Sequence, residues 1–325
     1  MRSFAGRTVV IALSWALLGS ACGSDDPSAS APQAREWSEI DLAGAPRYDG
    51  PGPHAVGVHT LDMTDDEGGT EQVVVWYPAA GSASAEPVVD ADGDDGDDPY
   101  PLVVFAHGLG LSASDHSRQL ATIASWGFVV AGPEAIKGTD LVAVAEVVRS
   151  AAEQPDTPVT DIVAPSGPIV VGGFSAGTTA AVTTSSDRGP VEVVGVLLMA
   201  GGGPAGAGDT AASPTLFLAG GRDPATDDWA RPGFEITTEP SELVLFEDAG
   251  HLTFSDLCHS DPSTNDADCA PDEVGEEALW PLIDHASVAF LRWRFGLDAT
   301  PISLDPDLLT DVIASPVVVE GSFAA

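Results

Sequence analysis

Basic side chains are scarce in this chain. Twelve lysine and arginine residues stand against 50 aspartate and glutamate residues, a formal net charge of −38 at pH 7. Such an excess of negative charge repels nucleic acids and anionic membrane surfaces at ordinary salt, so we exclude a nucleic-acid partner. The acidic stretch 90–98 (DADGDDGDD) is interpreted as a solvated loop, with Ca²⁺ binding as the alternative, because the order of ligands in an EF-hand is not met.

The chain also lacks a hydrophobic run long enough to span a bilayer. Its first apolar run, Val9 to Leu18, is too short for that, and it follows the positive residues Arg2 and Arg7. A small-residue site, residues 19–21 (GSA), comes next. This order is typical of an export signal, so we predict a signal peptide over residues 1–21 and an exported protein, either secreted or held in the cell envelope.

Cys22 directly follows the predicted cleavage site. The segment LLGSAC resembles a bacterial lipobox, in which the cysteine is lipidated and begins the mature chain, although Gly19 stands where a leucine is usual. Lipid on Cys22 would attach the protein to a membrane, and ordinary cleavage after Ala21 remains the alternative. Residues 22–45 are rich in Ser, Pro, Ala and acids and are predicted to be a flexible tether, which leaves residues 46–325 as one domain.

Cysteine is rare, with three residues in all. Apart from Cys22 there remain only Cys258 and Cys269, and an exported compartment permits a disulfide between them. Two free thiols in an acidic loop are the less favoured alternative. The paired His and Cys spacing of a zinc site is missing, so we predict no metal site.

Apolar segments that are nearly continuous alternate with helical ones from about residue 50. This pattern is what a parallel sheet covered on both faces requires. It predicts a doubly wound, mostly parallel α/β domain with helices on both faces, and the short Gly/Ala-rich segment 201–213 leaves no room for a large lid domain. Strands are predicted at 71–79, 100–108, 128–134, 168–173, 192–200, 214–221 and 241–250, and helices at 117–127, 139–154 and 282–296.

The strongest chemical motif is GFSAG at residues 173–177. A nucleophile elbow forces its serine into a strained turn, where only residues without large side chains fit two before and two after it. Gly173 and Gly177 meet that requirement, and the helix that can begin after Ser175 favours negative charge near its N-terminus. The motif falls where a strand gives way to a helix, so we predict Ser175 to be a nucleophile.

Two further strand ends supply partners for Ser175. Asp223 follows the strand 214–221, and His251 follows the last strand, so the chain order is Ser, Asp, His. Asp227 and Asp228 lie close enough to compete with Asp223 for the role of orienting the imidazole. After the early strand comes the loop that begins at His107; we expect Leu109 N–H, together with Ala176 N–H, to form an oxyanion hole, and His107 to shape the loop.

With these residues in place, the chain resembles the α/β-hydrolase superfamily. Within it, the chain is similar to the exported branch of platelet-activating-factor acetylhydrolase-like, dienelactone-hydrolase-like and cutinase-type polyester hydrolases. The resemblance covers most of residues 50–295 and is carried by the segments GPHAVGVHTL, VVVWYPA, PLVVFAHGLG, SWGFVVAGPE, GGFSAG, PTLFLAGGRD and AGHLTFSD.

Departures from these subfamilies bear on the assignment of residues. The acetylhydrolases place their acid after the strand that follows the nucleophile, where this chain has MAGGGPAG, so the acid must come from the later strand. Dienelactone hydrolases have a cysteine in place of Ser175, and polyester hydrolases usually have other residues where Phe174 and Ala176 stand.

The resemblance and the motif together predict a serine hydrolase that cleaves carboxylic esters without a cofactor. We expect a monomer that acts on small or polymeric ester substrates. One alternative is a polyester or other polymer depolymerase of cutinase type. The other is a surface lipoprotein that retains the hydrolase fold for binding alone.

Overall fold

A computed structural model describes residues 44–64, 68–94, 96, 98–135, 140–187, 189, 191–203, 211–260, 268–312 and 316–323. The predicted signal peptide, Cys22 and almost all of the predicted tether lie outside these ranges and stay predictions. None of the helices within the described ranges has both the length and the apolar character needed to cross a bilayer.

A ten-stranded sheet runs through the described part of the chain. Six neighbouring strands form its parallel centre, and antiparallel pairs β2–β5, β1–β2 and β9–β10 extend it at the two sides. The strands are β1 (Ala55–Thr64), β2 (Thr70–Ala79), β3 (Ser84–Val89), β4 (Leu102–Ala106), β5 (Val129–Pro133), β6 (Ile169–Phe174), β7 (Val193–Met199), β8 (Thr215–Gly220), β9 (Ser241–Phe246) and β10 (Val317–Gly321). Their order in the sheet is β10-β9-β8-β7-β6-β4-β5-β2-β1-β3.

Helices cover both faces of this sheet. They are α1 (Ser117–Ser125), α2 (Leu141–Ala152), α3 (Gly177–Ser186), α4 (Arg231–Ile236), α5 (Leu257–Ser260), α6 (Glu276–Arg294) and α7 (Pro306–Val312). Alternate residues of a strand point to opposite faces. In β4, Val103 and Phe105 pack in the core that includes α1 and α6, whereas Leu102 and Val104 pack in the core that includes α2 and α3. The predicted doubly wound α/β fold is therefore confirmed.

Local sequence explains where the first two helices begin and end. Asp140 precedes α2, and its carboxylate accepts hydrogen bonds from the free N–H groups of Val142 and Ala143. Gly127 lies just beyond α1 with φ of +89°, a left-handed conformation that glycine adopts without a steric penalty. Strands β4 and β6 are parallel neighbours in the sheet, so the loops that follow them meet at the same edge.

Candidate active site

Ser175 occupies a sharp turn between β6 and α3. Its φ is +51°, which is strained for a residue with a side chain, and its N–H donates to the Met199 carbonyl at 2.9 Å. A Cβ on Gly173 would overlap the carbonyl oxygen of Gly177, and a Cβ on Gly177 would overlap that of Ala106. Close approach of backbone to backbone therefore requires glycine on both sides of the serine, as the motif predicts.

A continuous chain of hydrogen bonds joins the three predicted catalytic residues. His251 Nε2 lies 3.0 Å from Ser175 Oγ, and His251 Nδ1 lies 2.7 Å from Asp223 Oδ2. A carboxylate can only accept, so Nδ1 carries the proton and the Nε2 lone pair faces the serine hydroxyl. This is the tautomer that a general base for Ser175 needs.

Burial and a second hydrogen bond hold Asp223 in place. The residue is 5% exposed, and its other oxygen, Oδ1, accepts from the Ala225 N–H at 2.8 Å. The competing acids lie elsewhere: Asp228 is exposed, and Asp227 has a side chain that is 86% exposed and pairs with Arg231 at 3.5 Å. Of the three acids considered in the sequence, the structure brings only Asp223 to His251.

The loop after β4 passes directly beside the nucleophile. A Cβ on Gly108 would lie 3.3 Å from the Cβ of Ser175 and would collide with the Phe174 ring, so the loop backbone is close to the elbow. Among the described residues, no hydrogen-bond acceptor is paired with the N–H of Leu109 or of Ala176. Both predicted donors are thus free to bind an oxygen anion formed next to Ser175.

His107 and His116 are both buried behind this loop. The His107 Nδ1–H donates to the Gly108 carbonyl at 2.9 Å, which fits the expectation that it shapes the loop, and burial lowers the pKa of His107. Residue types and spacing predict no partner for His116, whose Nδ1 lies 3.0 Å from the carbonyl oxygen of Phe254. A contact between residues so far apart in the chain leaves no signal in local spacing.

Cys258 and Cys269 form a disulfide, as the sequence analysis expects. Their sulfurs and a Glu276 carboxylate oxygen form the one cluster of potential metal ligands found among the described residues. Zinc binds thiolates, and disulfide sulfurs are not thiolates, so this cluster does not suit zinc. The bridge ties Cys269 to Cys258, and a Cβ on Gly250 would overlap the backbone of Asp268, so the segment at Cys269 lies beside the residue that precedes His251.

Two comparisons with known proteins bear on the family and the fold. Residues 79–158 match the family "Platelet-activating factor acetylhydrolase, isoform II". The structure is also similar to that of a ferulic acid esterase from Streptomyces cinnamoneus, with a TM-score of 0.57 and 19% identity over 82% of this chain and 96% of that one. No curated protein sequence matches the chain. The family match confirms the resemblance to the acetylhydrolases, and the structural match confirms the α/β-hydrolase fold.

Proposed function

We propose that the protein hydrolyses carboxylic esters, with Ser175 as the nucleophile and an acyl-enzyme as the intermediate. The observation that carries the proposal is the hydrogen-bonded chain from Ser175 Oγ through His251 to Asp223. It lies beside two unpaired backbone N–H groups at the carboxyl ends of the parallel strands, where α/β sheets bind their ligands.

Acylation begins when Ser175 Oγ attacks the carbonyl carbon of the ester and His251 Nε2 takes the hydroxyl proton. Asp223 stabilises the imidazolium through its hydrogen bond to Nδ1–H. The carbonyl oxygen becomes an anion and accepts hydrogen bonds from the N–H groups of Leu109 and Ala176. The tetrahedral intermediate then collapses, and the alcohol leaves with the proton that His251 returns.

Deacylation repeats these steps with water in place of the serine. The His251 side chain is 21% exposed, and we propose that the attacking water reaches the ring from solvent. His251 deprotonates that water, the same two N–H groups bind the new oxyanion, and the carboxylic acid departs from Ser175. Protein groups and water supply every step, so the mechanism requires no cofactor.

Exposed apolar side chains favour a second candidate, a polymer depolymerase. Leu109, whose N–H is a proposed oxyanion donor, is 86% exposed, and Trp229, six residues after Asp223 in the chain, is 44% exposed. The connection between β7 and β8 is too short for a lid domain, so a polymer chain could lie across these side chains. A panel of substrates should therefore contain p-nitrophenyl esters of increasing chain length, platelet-activating factor, methyl ferulate and a polyester film.

Export and membrane attachment through lipid on Cys22 are part of the proposal. The disulfide between Cys258 and Cys269 supports an oxidising compartment outside the cytoplasm. We propose that the protein acts there as a monomer on an ester substrate, without nucleic acid. Mass spectrometry of the N-terminal peptide from the membrane fraction distinguishes lipidated Cys22 from a chain cut after Ala21 and released.

Labelling with a fluorophosphonate tests the proposed chemistry directly. We expect one adduct on the wild-type protein, mapped to Ser175 by peptide mass spectrometry, and none on the Ser175→Ala variant. The matched control is Ser185→Ala, since Ser185 is buried in α3 and donates only to the Val182 carbonyl. Failure of the folded wild-type protein to react would reject the esterase and favour the lipoprotein that only binds.

A further inference from the structure

A fully buried histidine lies beneath the candidate active site. His116 ends a short 3₁₀ segment, Ala113–His116, between the oxyanion loop and α1, and it is 0% exposed. Its ring centroid is 5.1 Å from that of Phe105 and 4.9 Å from that of Phe174, the residue before the nucleophile. The Phe174 ring in turn lies 5.1 Å from the His251 ring. Ring contacts that pass through Phe174 therefore connect His116 with the imidazole of the proposed triad.

Hydrogen bonds connect the same histidine with the backbone that carries His251. Phe254 ends the 3₁₀ segment His251–Phe254, and its carbonyl oxygen lies 3.0 Å from His116 Nδ1. Two bonds at Asp256 reinforce this contact: its N–H donates to the Asp115 carbonyl at 2.7 Å, and its carboxylate accepts from the Arg118 N–H at 3.0 Å. Three hydrogen bonds thus join residues 115–118 to residues 254–256.

The protonation state of His116 follows from its partners. A carbonyl oxygen can only accept, so Nδ1 carries the hydrogen and the ring is tied to Phe254 as a donor. Burial lowers the pKa of His116 to about 4, so the ring stays neutral at the pH at which His251 must be a base. Its Nε2 is buried without a hydrogen-bond partner in the described part of the chain, so no relay of protons leads from it.

We propose that His116 is a positioning residue, which holds the His251 loop and the nucleophile elbow in register so that His251 Nε2 faces Ser175 Oγ. The proposal rests on the esterase function proposed above. His116 acts through its hydrogen bond to the Phe254 carbonyl and its contact with the Phe174 ring. A misplacement of about 1 Å at reacting atoms can lower a rate by about a hundredfold, so a hydrogen bond that fixes the loop has a measurable effect.

Two substitutions separate the hydrogen bond from the packing. His116→Phe keeps an aromatic ring against Phe105 and Phe174 but removes the donor to Phe254. His116→Asn loses the ring but places an amide N–H near the position of Nδ1. The matched control is His285→Phe. His285 lies in α6 and is equally buried. Its Nδ1 accepts a hydrogen bond from the Tyr48 N–H, and its Nε2–H donates to the Ser303 carbonyl.

Kinetics on a p-nitrophenyl ester, at equal folded fractions by circular dichroism, form the first readout. We expect His116→Phe to lower kcat by about ten- to a hundredfold with KM changed less than about threefold, and His116→Asn to recover at least about a third of the wild-type kcat. His285→Phe is expected to lower the melting temperature and leave kcat within about twofold of wild type. Equal values of kcat for His116→Phe and His285→Phe would overturn the proposal.

A second readout does not depend on activity. In ¹H–¹⁵N spectra, the Nδ1–H of His251 that binds Asp223 gives a low-field proton signal. We expect the position of this signal to change in His116→Phe and to stay at its wild-type value in His285→Phe. If the wild-type protein fails to react with fluorophosphonate, the esterase is rejected, and these spectra still decide whether His116 orients His251. Unchanged spectra in His116→Phe would reject the positioning role.

Discussion

At the residue scale, the proposed chemistry places Ser175 in a backbone conformation that lowers the stability of the fold. A residue with a Cβ at φ of +51° costs roughly 1–2 kcal/mol, and glycine avoids that cost while losing about 0.5–1 kcal/mol of entropy on folding. We therefore expect Ser175→Gly to be more stable than Ser175→Ala by up to about 1 kcal/mol, although both are inactive. Urea denaturation of the two variants checks this, and a less stable glycine variant would show that the turn is not strained.

The orienting acid gives a second prediction at this scale. Asp223→Asn keeps the size of the side chain but lets the amide favour the wrong tautomer of His251, so we expect kcat to fall by about 10³- to 10⁴-fold. Asp227→Asn is the matched control, because the Asp227 side chain is 86% exposed and contacts Arg231. Steady-state kinetics on one ester compare the two variants. Similar activities would mean that Asp223 does not orient His251.

How far residue-scale features could be predicted depends on where their partners lie. The three proposed catalytic residues, Ser175, Asp223 and His251, each follow a strand. Their order in the chain and the expected parallel sheet therefore predict from the sequence alone that they lie close together. The contact of His116 with Phe254 spans 138 residues and joins a side chain to a backbone carbonyl. Any residue can supply a carbonyl, so no pattern of residue types could have revealed that contact.

At the scale of elements, the interior of the sheet was predictable and its borders were not. The buried strands β4 to β9 are runs of Val, Ile and Leu with both faces covered, which makes them evident in the sequence. Pro87 within β3 and a length of five residues in β10 weakened the strand signal at the two edges. Helix α6 begins at Glu276 instead of the predicted 282 and contains Pro281, a residue that is disfavoured inside helices.

The disulfide between Cys258 and Cys269 carries a prediction about stability and activity. The cysteines are 11 residues apart, so the bridge should contribute roughly 2–3 kcal/mol to stability by restricting the unfolded chain. It also holds the backbone of residue 268 against Gly250, beside His251. We expect the double variant Cys258→Ser/Cys269→Ser to unfold at lower urea concentration and to lose kcat. A reducing agent should mimic both effects in the wild type and have none in the variant; stability that is independent of the bridge would contradict this.

Edge strand β10 packs beside a buried carboxyl group, that of Glu242 in β9. Glu242 is 1% exposed, it accepts the Phe323 N–H, and its Oε1 has no partner among the described residues. Burial, with a smaller effect of Asp305, raises the pKa of Glu242 from 4.5 to about 8. The folded state then holds a proton that the unfolded state has released, so stability falls as pH rises from about 4.5 to about 8.

Replacing this carboxyl group with an amide isolates its effect. Glu242→Gln cannot ionise, so we expect the wild type to lose more stability than the variant between about pH 5 and pH 8, by an amount on the order of a few kcal/mol. Urea denaturation at several pH values measures both slopes. Asp305→Asn is the control, since it removes the charge that acts on Glu242 and should lower the wild-type slope only slightly. Parallel slopes for wild type and Glu242→Gln would contradict a raised pKa.

At the scale of the whole molecule, four arginines in the described part of the chain are paired with carboxylates. Salt bridges join Arg47 to Asp49, Arg118 to Asp284 and Arg292 to Asp298, and Arg231 contacts Glu320. With 12 basic and 50 acidic side chains, most carboxylates have no cation to pair with. Their mutual repulsion opposes the compact state, because unfolding moves like charges apart.

Salt should therefore stabilise this protein. Raising NaCl from about 0.02 M to about 1 M shortens the Debye length from roughly 20–30 Å to about 3 Å and screens the repulsion between exposed carboxylates, while the partly buried Arg118–Asp284 pair is screened less. We expect the melting temperature to rise by at least about 3 °C, which corresponds to roughly 1 kcal/mol for a domain of this size. KCl at equal concentration is the control and should act alike, because screening depends on ionic strength. A melting temperature that falls with salt would mean that the surface ion pairs outweigh the repulsion.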